Sequence, residues 1–428
     1  MQQMISSHEF VPVILGGDIT AYSLARTFHE AYGVRSVAVS RLHSEMISRS
    51  GILENIVIPD LENAALFVQR LCDIAAQHPG KRCILLACGD WYVRLIAEHR
   101  AALEEHFVIP YIPLALMERL VRKDSFYSLC TELGIPHPAT VVFDCADIEL
   151  PELPFPYPII AKPAASAEYH YAQFPGKRKV YRLENEAELR DLLRRLRACG
   201  YPGKFLLQEF IPGDDTSMRI LTCYSDQNGN VRFQSSGHVL LEDHAPMGIG
   251  NPVAILKDCN RAVMDDARRL LEHVGYTGFS NFDIRFDARD GSYKFLEINT
   301  RLGRSNYYVT AAGDNVARWM VEDLICLALP EGSAPVIAEN EDSFYTVVPR
   351  SVILDHVHDP NLRAWVCALW DAGKAVNPLD YAGDPGVERR LYVHYFLWKQ
   401  RRRFLRTQEQ AGKEERVCAA LPVSQMGI

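Results

Sequence analysis

Hydrophobic and polar positions along the first hundred residues alternate in the manner of strands joined by amphipathic helices. Short apolar runs that indicate strands alternate with segments whose apolar residues recur at helical spacing, at 11–15, 19–32, 36–39, 64–78, 83–87 and 91–99. Strands separated by helices favour a parallel, doubly wound sheet. The pattern therefore predicts an α/β domain over residues 1–115.

A glycine turn, Gly16-Gly17-Asp18, joins the first strand to the first helix. Backbone N–H groups at such a turn can form an anion site. The turn is not a G-x-G-x-x-G sequence, and no acidic ribose partner follows at the right distance. We therefore prefer a structural or substrate-facing α/β domain to a dinucleotide site.

The pattern changes near Leu114, where a mixed region begins. Strand and helix signals follow in an order typical of an antiparallel α+β domain, at 123–133, 158–162, 179–182, 186–199, 205–210, 218–224, 231–235, 281–287 and 293–298. The loop 330–335, rich in Pro, Gly and Ser, marks a further break. We predict domains at 116–330 and 331–428.

Composition and charge narrow the class of protein. The chain has 428 residues, 48% hydrophobic and 23% charged, and a net charge of −8, so it is predicted to be globular, without an overall field that favours nucleic acid or an anionic membrane. Eleven cysteines form no C-x-x-C pair, and no signal peptide or membrane-spanning run is recognisable, which predicts reduced thiols in a cytoplasmic protein. The basic run 399–406 allows docking to an anionic precursor or peripheral membrane contact, although a solvated helix face is the simpler interpretation.

The strongest local signal for chemistry is a predicted hairpin near residue 290. Glu297 and Asn299 alternate onto one strand face, and a turn over 288–292 would bring Asp283 beside them. These side chains offer only oxygen ligands, which suits Mg²⁺ bound with nucleotide phosphates. An exposed hairpin with ordinary polar decoration is the alternative.

Two lysines and one linker add to this signal. Lys123 begins a helix and Lys162 ends an apolar strand, where either could hold phosphate oxygens or simply reach solvent. The segment 208–215 joins a strand to a new region and could present polar groups to adenine and ribose. A plain strand-to-loop junction is the alternative.

The order of these motifs resembles the ATP-grasp superfamily. Lys123 lies eleven residues before Gly134-Ile135-Pro136, and the strand ending at Lys162, the Gln-Glu-Phe-Ile segment and the hairpin follow in the family's order. The resemblance implies an ATP-grasp fold with an N-terminal pre-ATP-grasp domain, ATP as cosubstrate and two Mg²⁺ ions. It implies ATP contacts from Lys123, Lys162, Ser166, Lys179, Gln208, Glu209, Phe210, Ile211 and Asp215.

The same resemblance assigns the remaining site. Asp283, Glu297 and Asn299 would ligate Mg²⁺, and Arg301 with Lys162 would stabilise the reacting groups. The opening segment 12–26, the flap 163–171 and the segments 177–181 and 248–251 are similar to carboxylate–amine ligases of the D-aspartate ligase type. That subgroup implies an ADP-forming ligase that joins D-aspartate to the amine of a peptidoglycan precursor.

Histidines are weaker candidates. His238 and His244 lie near the expected substrate edge, and we assign His238 as the candidate base, although a lone histidine is more often structural. His356 and His358 alternate as on a strand, but no third metal ligand accompanies them. The alternative functions are a ligase for another amino acid or peptide and a nucleotide-binding protein without catalysis.

Overall fold

The structure is a computed structural model that describes residues 9–147, 149–165, 169, 171–245, 248–329, 334–339 and 343–420, with side chains to residue 407. It divides into two compact units. Unit 1 contains Met1–Pro110, Ser235–Cys259 and Leu302–Ile428, and unit 2 contains Tyr111–Gln234 and Asn260–Arg301. Ser166 lies outside the described residues.

The strands of the described chain, β1 to β17, are Phe10–Leu15, Ser36–Ser40, Leu53–Val57, Arg82–Ala87, Phe107–Val108, Thr140–Asp144, Ile159–Pro163, Tyr181–Leu183, Lys204–Glu209, Met218–Ser225, Val231–Glu242, Pro252–Asp258, Gly278–Asp287, Ser292–Asn299, Val336–Ile337, Phe344–Thr346 and Ala375–Val376. The helices, α1 to α14, are Ile19–Tyr32, Glu45–Ser48, Ala64–Ala76, Asp90–Glu98, Arg100–Leu103, Leu114–Val121, Lys123–Glu132, Glu186–Ala198, Arg261–His273, Tyr307–Ala311, Val316–Leu324, Arg350–His356, Pro360–Asp371 and Val387–Ala420.

The N-terminal part of unit 1 is the predicted parallel sheet. Its strand order is β3-β2-β1-β4-β5, and every pairing is parallel. Helix α1 begins after Asp18, whose carboxylate accepts from the Thr20 N–H, and ends at Gly33 with a φ of 67°. Position 16 has no room for a side chain, because a Cβ there would lie 2.7 Å from the Cys88 Cβ.

Unit 2 contains a four-stranded antiparallel sheet in the order β6-β9-β7-β8. Helix α8 supplies the buried residues Leu189, Leu192, Leu193 and Leu196, which belong to one apolar core with Phe205 of β9. This packing fixes β7, the strand that carries Lys162. A second antiparallel group in unit 2 pairs β10 with β13 and β13 with β14.

The remaining part of unit 1 pairs β11 with β12, β12 with β16, and β16 with β17. The prediction of a strand at His356 is wrong. This residue ends helix α12, and its Nδ1 lies 2.7 Å from the Val352 carbonyl oxygen. The segment Arg350–His356 forms helical hydrogen bonds, so the two-residue spacing of the histidines does not indicate a strand here. Among the described helices, none is both long and apolar enough to cross a membrane.

Candidate active site

The β13–β14 hairpin brings the three candidate metal ligands together. Asp283 lies opposite Glu297, and Asn299, two residues further on, shares the strand face of Glu297. The Asn299 Nδ2 donates to Asp283 Oδ2 over 3.4 Å. A β-bulge follows Asp283 and shifts the register between that residue and Ile284. The turn at 288–292 therefore gathers two carboxylates and one amide, as the sequence predicts.

Lys123 joins this group from the first turn of α7. Its Nζ lies 3.0 Å from Glu297 Oε2, and its side chain is 14% exposed. The positive charge of Lys123 is the main cause that lowers the pKa of Glu297 to about 2, with further contributions from Lys162 and Lys179. Glu297 is therefore ionised at neutral pH, as a metal ligand must be.

Lys162 lies beside the same group at the end of β7. Its Nζ donates to the Tyr127 hydroxyl over 3.2 Å, and that hydroxyl donates to the Leu296 carbonyl over 2.7 Å. Burial, reinforced by the charge of Lys123, lowers the pKa of Lys162 to about 7. Lys162 therefore has a hydrogen-bond partner within the protein, unlike a lysine that simply reaches solvent. With a pKa near 7, its amine can gain or lose a proton near neutral pH.

Tyr127 was missed by the sequence reasoning. It lies four residues after Lys123, on the same side of α7, and its hydroxyl connects β7 to β14. Its ring also stacks on His137, with centroids 5.3 Å apart. The spacing of four from the first lysine was the available signal. We assign Tyr127 as a positioning residue for Lys162.

The other two charged candidates are Lys179 and Arg301. Lys179 is exposed, and its charge contributes to lowering the pKa of both Glu297 and Lys162. Arg301 lies two residues after the end of β14 and is half-buried. Their roles remain predictions.

The segment predicted to hold adenine contains two side chains that have partners within the protein. Gln208 is buried and donates to Thr140 Oγ1 over 2.8 Å. The Glu209 carboxylate accepts from the Ala139 N–H over 2.9 Å and pairs with Lys294 at 2.9 Å and Arg289 at 2.7 Å. Both side chains therefore stabilise unit 2 in addition to any nucleotide contact.

Three further candidates for the adenine and ribose contacts, Phe210, Ile211 and Asp215, follow β9 in the chain. The Arg182 guanidinium lies over the Phe210 ring, 4.5 Å from its centroid, and Ile211 is buried. Asp215 begins a short 3₁₀ turn, Asp215–Ser217, and is half-buried. The predicted adenine and ribose contacts of these three residues stay predictions.

His238 lies in the other unit, on the part of β11 that pairs with β12, where it is opposite Leu256. It is half-buried. His244 contacts Phe404 and His356, with ring centroids 5.7 Å and 5.6 Å away. The catalytic role of His238 remains a prediction, and the aromatic contacts of His244 are those of a packed side chain.

The donor set fits a magnesium nucleotide. Asp283, Glu297 and Asn299 present hard oxygen atoms on neighbouring strand positions, and Lys123 and Lys162 present cations beside them. The described part of the chain holds no group of three or more His, Cys, Asp or Glu side chains arranged for a metal. Mg²⁺ at this hairpin would therefore complete its coordination with phosphate oxygens and water, which is its usual preference.

Comparison with solved structures and with a family model identifies the fold. The chain matches an L-amino acid ligase from Bacillus licheniformis with a TM-score of 0.55 and 16% identity, over 77% of this chain and 78% of that one. It also matches the biotin carboxylase domain of Hydrogenobacter thermophilus 2-oxoglutarate carboxylase, solved with MgADP and bicarbonate, at 0.56 and 15%, over 78% and 73%. Residues 224–321 match the family "Carbamoyl-phosphate synthase L chain, ATP binding domain". The fold is ATP-grasp, as predicted.

A relative with higher sequence identity shows the family to which the chain belongs. The D-aspartate ligase of Enterococcus faecium (strain Aus0004) is 35% identical over 406 residues, which cover 93% of this chain and 96% of that one. The chain therefore belongs to the D-aspartate ligase family. It is an ATP-dependent, ADP-forming carbon–nitrogen ligase that joins a carboxylate to an amine.

Proposed function

We propose that this ligase joins the β-carboxylate of D-aspartate to the amine on the third residue of a peptidoglycan precursor, in the cytoplasm, to build a cross-bridge. The observation that carries the proposal is the 35% identity to a D-aspartate ligase across 93% of the chain. Identity over nearly the full length of both chains includes the regions outside the nucleotide hairpin, where substrates other than ATP must be recognised.

The reaction needs ATP because an oxide ion cannot leave a carboxylate. The donor carboxylate attacks the γ-phosphorus of ATP, and the bond from that phosphorus to the bridging oxygen breaks to give an acyl phosphate and ADP. The amine then attacks the acyl carbon, and phosphate leaves. Such a reaction needs positioning and charge neutralisation more than covalent participation by the protein.

The site supports this division of labour. Lys123, Lys162 and Lys179 would neutralise phosphate oxygens, and Asp283, Glu297 and Asn299 would hold two Mg²⁺ ions. Bound Mg²⁺ would neutralise charge on the transferred phosphoryl group. Arg301 would stabilise the oxyanion that forms when the amine attacks. Ser166 would lie in the flap over the phosphates.

The acceptor amine must lose a proton before it attacks. A lysine-type amine with a pKa near 10.4 is protonated at neutral pH, and its deprotonation costs about 4.6 kcal/mol. A base or a desolvated pocket would offset this cost, and His238 is our candidate base. If His238 is the base, its substitution would change the rate of amine attack and leave ATP binding unchanged.

The second candidate is a ligase for a different amino acid or peptide. The shared fold with an L-amino acid ligase shows that this architecture carries other donors, although 16% identity extends only to the fold. A protein that binds nucleotide without catalysis is disfavoured, because Asp283, Glu297, Asn299 and Arg301 are all retained.

The proposal is tested by measuring ADP release with D- and L-amino acids, with and without a peptidoglycan precursor peptide. D-Aspartate is expected to be the best donor, and hydroxylamine in place of the acceptor is expected to trap a hydroxamate. ADP formed with another amino acid but not with aspartate would overturn the donor assignment. AMP as the product would overturn the acyl-phosphate mechanism itself.

A further inference from the structure

An apolar stripe faces solvent along α14, the C-terminal helix of unit 1. We name it the α14 stripe; its members are Val387, Leu391, Tyr395, Trp398 and Leu405. Their spacings of four, four, three and seven residues place them on one helical face. They are between 44% and 74% exposed. Exposed apolar residues that form one contiguous row on a folded element mark an interaction site more often than scattered ones do.

The opposite face of α14 attaches the helix to unit 1. Val393, Phe396 and Phe404 are buried on that face. Arg389 lies beside Asp384 and donates to the Met46 carbonyl, and Arg403 lies 2.7 Å from Asp243 Oδ2. The buried face therefore fixes the helix in a rotation that presents the α14 stripe outwards.

Positive charge surrounds the stripe. Five exposed basic residues lie in or beside it: Arg390, Lys399, Arg401, Arg402 and Arg406. The Arg402 guanidinium lies 4.8 Å from the centroid of the Trp398 ring. Glu388 is the only acidic residue over 387–407, and its carboxylate is 3.2 Å from Arg49. Over the side chains described to residue 407, this face combines apolar and aromatic groups with an excess of cations.

We propose that the α14 stripe docks the protein on an anionic lipid surface. Helices that lie in a membrane interface carry large apolar and aromatic residues on one face with Lys and Arg beside them, and Trp and Tyr prefer that depth. Lipid phosphates carry negative charge that attracts a cluster of exposed Lys and Arg side chains. A second copy of the same face would bring like charges together, so the charge pattern favours lipid over self-association.

Binding is tested by sedimentation of the full chain with vesicles, without nucleotide or amino acid, so that the result is independent of the proposed reaction. The probes are vesicles of phosphatidylcholine alone and of an equal mixture of phosphatidylcholine and phosphatidylglycerol. The protein is expected to bind the mixed vesicles and not the neutral ones. Salt near 0.5 M, where the Debye length is only about 4 Å, is expected to release it.

Variants separate the apolar and ionic contributions. Leu391→Ser with Trp398→Ser, and separately Arg401→Gln with Arg402→Gln, are each expected to lower partitioning at least about tenfold. The matched controls remove similar groups elsewhere: Leu42→Ser with Trp91→Ser, at positions 75% and 52% exposed, and Arg190→Gln with Arg194→Gln on α8. The controls are expected to bind as the unaltered chain does. Circular dichroism and ADP release show that each variant is folded.

Two results would overturn the proposal. The first is failure of the unaltered chain to bind the phosphatidylglycerol vesicles, or equal loss of binding in the control variants. The second is a concentration-dependent dimer in sedimentation velocity that the Leu391→Ser, Trp398→Ser variant dissociates while vesicle binding is unchanged. That result would assign the α14 stripe to a second copy of the chain.

Discussion

Lys123 and Glu297 form an ion pair, with 3.0 Å between Nζ and Oε2, at the position where the phosphate and metal sites of the proposed function meet. Each charge stabilises the other in a partly buried place. Both groups are proposed to take part in binding MgATP, Lys123 to a phosphate and Glu297 to the metal. Binding would therefore exchange one internal ion pair for two charge-assisted contacts, one from lysine to phosphate and one from carboxylate to metal.

The first prediction concerns Glu297→Gln. The variant keeps the size of the side chain but removes the charge that a hard cation needs, so turnover is expected to fall at least about a hundredfold. ADP release measured over a series of Mg²⁺ concentrations checks this. The protein is expected to remain folded, because Glu297 is 34% exposed and lies at the end of β14. Undiminished turnover at low Mg²⁺ would remove the metal assignment.

The second prediction concerns Lys162→Ala. A charged hydrogen bond contributes about 1.5–3 kcal/mol, so ATP affinity is expected to fall roughly 10–150-fold. Isothermal titration calorimetry measures this change directly. Lys204→Ala is the matched control, because this exposed lysine lies on the adjacent strand β9. Equal ATP affinity in Lys162→Ala and the unaltered chain would show that Lys162 makes no phosphate contact.

The third prediction is a proton taken up with ATP. Burial, with the charge of Lys123, lowers the pKa of Lys162 to about 7, so above that pH the free protein holds this amine neutral. Bound phosphate favours the charged form, so ATP binding is expected to take up a proton and to weaken as pH rises from near 7 to near 9. Calorimetry in two buffers of different ionisation enthalpy measures the uptake. The uptake should be much smaller in Lys162→Ala, and equal uptake would point to another group.

The position of Lys162 also rests on Tyr127, which gives a fourth prediction. Tyr127→Phe removes the hydroxyl that accepts from Lys162 and donates to the Leu296 carbonyl. The loss leaves two partly buried polar groups without this partner, so the free energy of unfolding is expected to fall by about 1 kcal/mol. Urea unfolding checks the stability. A positioning role further requires that the proton uptake of Lys162 changes, which a purely structural role would leave unmoved.

Much of the hairpin was predictable because its signals are local. The alternation over 293–298 and the Gly291 turn place Asp283 opposite Glu297, and the structure confirms this register. Helix α1 follows its caps in the same way, beginning after Asp18 and ending at Gly33. Both features depend on neighbours within a few residues, which is where sequence patterns carry most information.

Long-range arrangements were not predictable on the same grounds. Unit 1 gathers three separate segments of the chain, and only packing between distant residues decides that grouping. The carboxylate of Glu209 shows the same limit at the scale of one side chain. Its motif predicts a nucleotide contact, whereas its partners Arg289 and Lys294 come from a turn and a strand some eighty residues later.

The last prediction concerns the ionic network of Lys294. Its Nζ lies 2.9 Å from both Asp287 Oδ2 and Glu209 Oε1, and Asp287 is fully buried. Lys294→Met removes one of the two cations paired with these carboxylates and leaves Arg289 as the other, so the free energy of unfolding near pH 7 is expected to fall by about 3–5 kcal/mol. Urea unfolding measures this change, and Lys204→Met, at the exposed first residue of β9, is the control.

The lowered pKa of Asp287 determines how the stability contributed by this network changes with pH. Hydrogen bonds from Arg289, followed by those from Lys294, hold the pKa of Asp287 well below its ordinary value. A lowered carboxylate pKa stabilises the folded state at pH values above the ordinary pKa near 4, and this contribution is lost as pH falls towards the folded-state value. The difference between Lys294→Met and the unaltered chain is therefore expected to be largest near pH 7 and to shrink below about pH 4. A difference that stays constant from pH 7 to pH 3 would mean that lost packing of the lysine stem, and not its charge, causes the destabilisation.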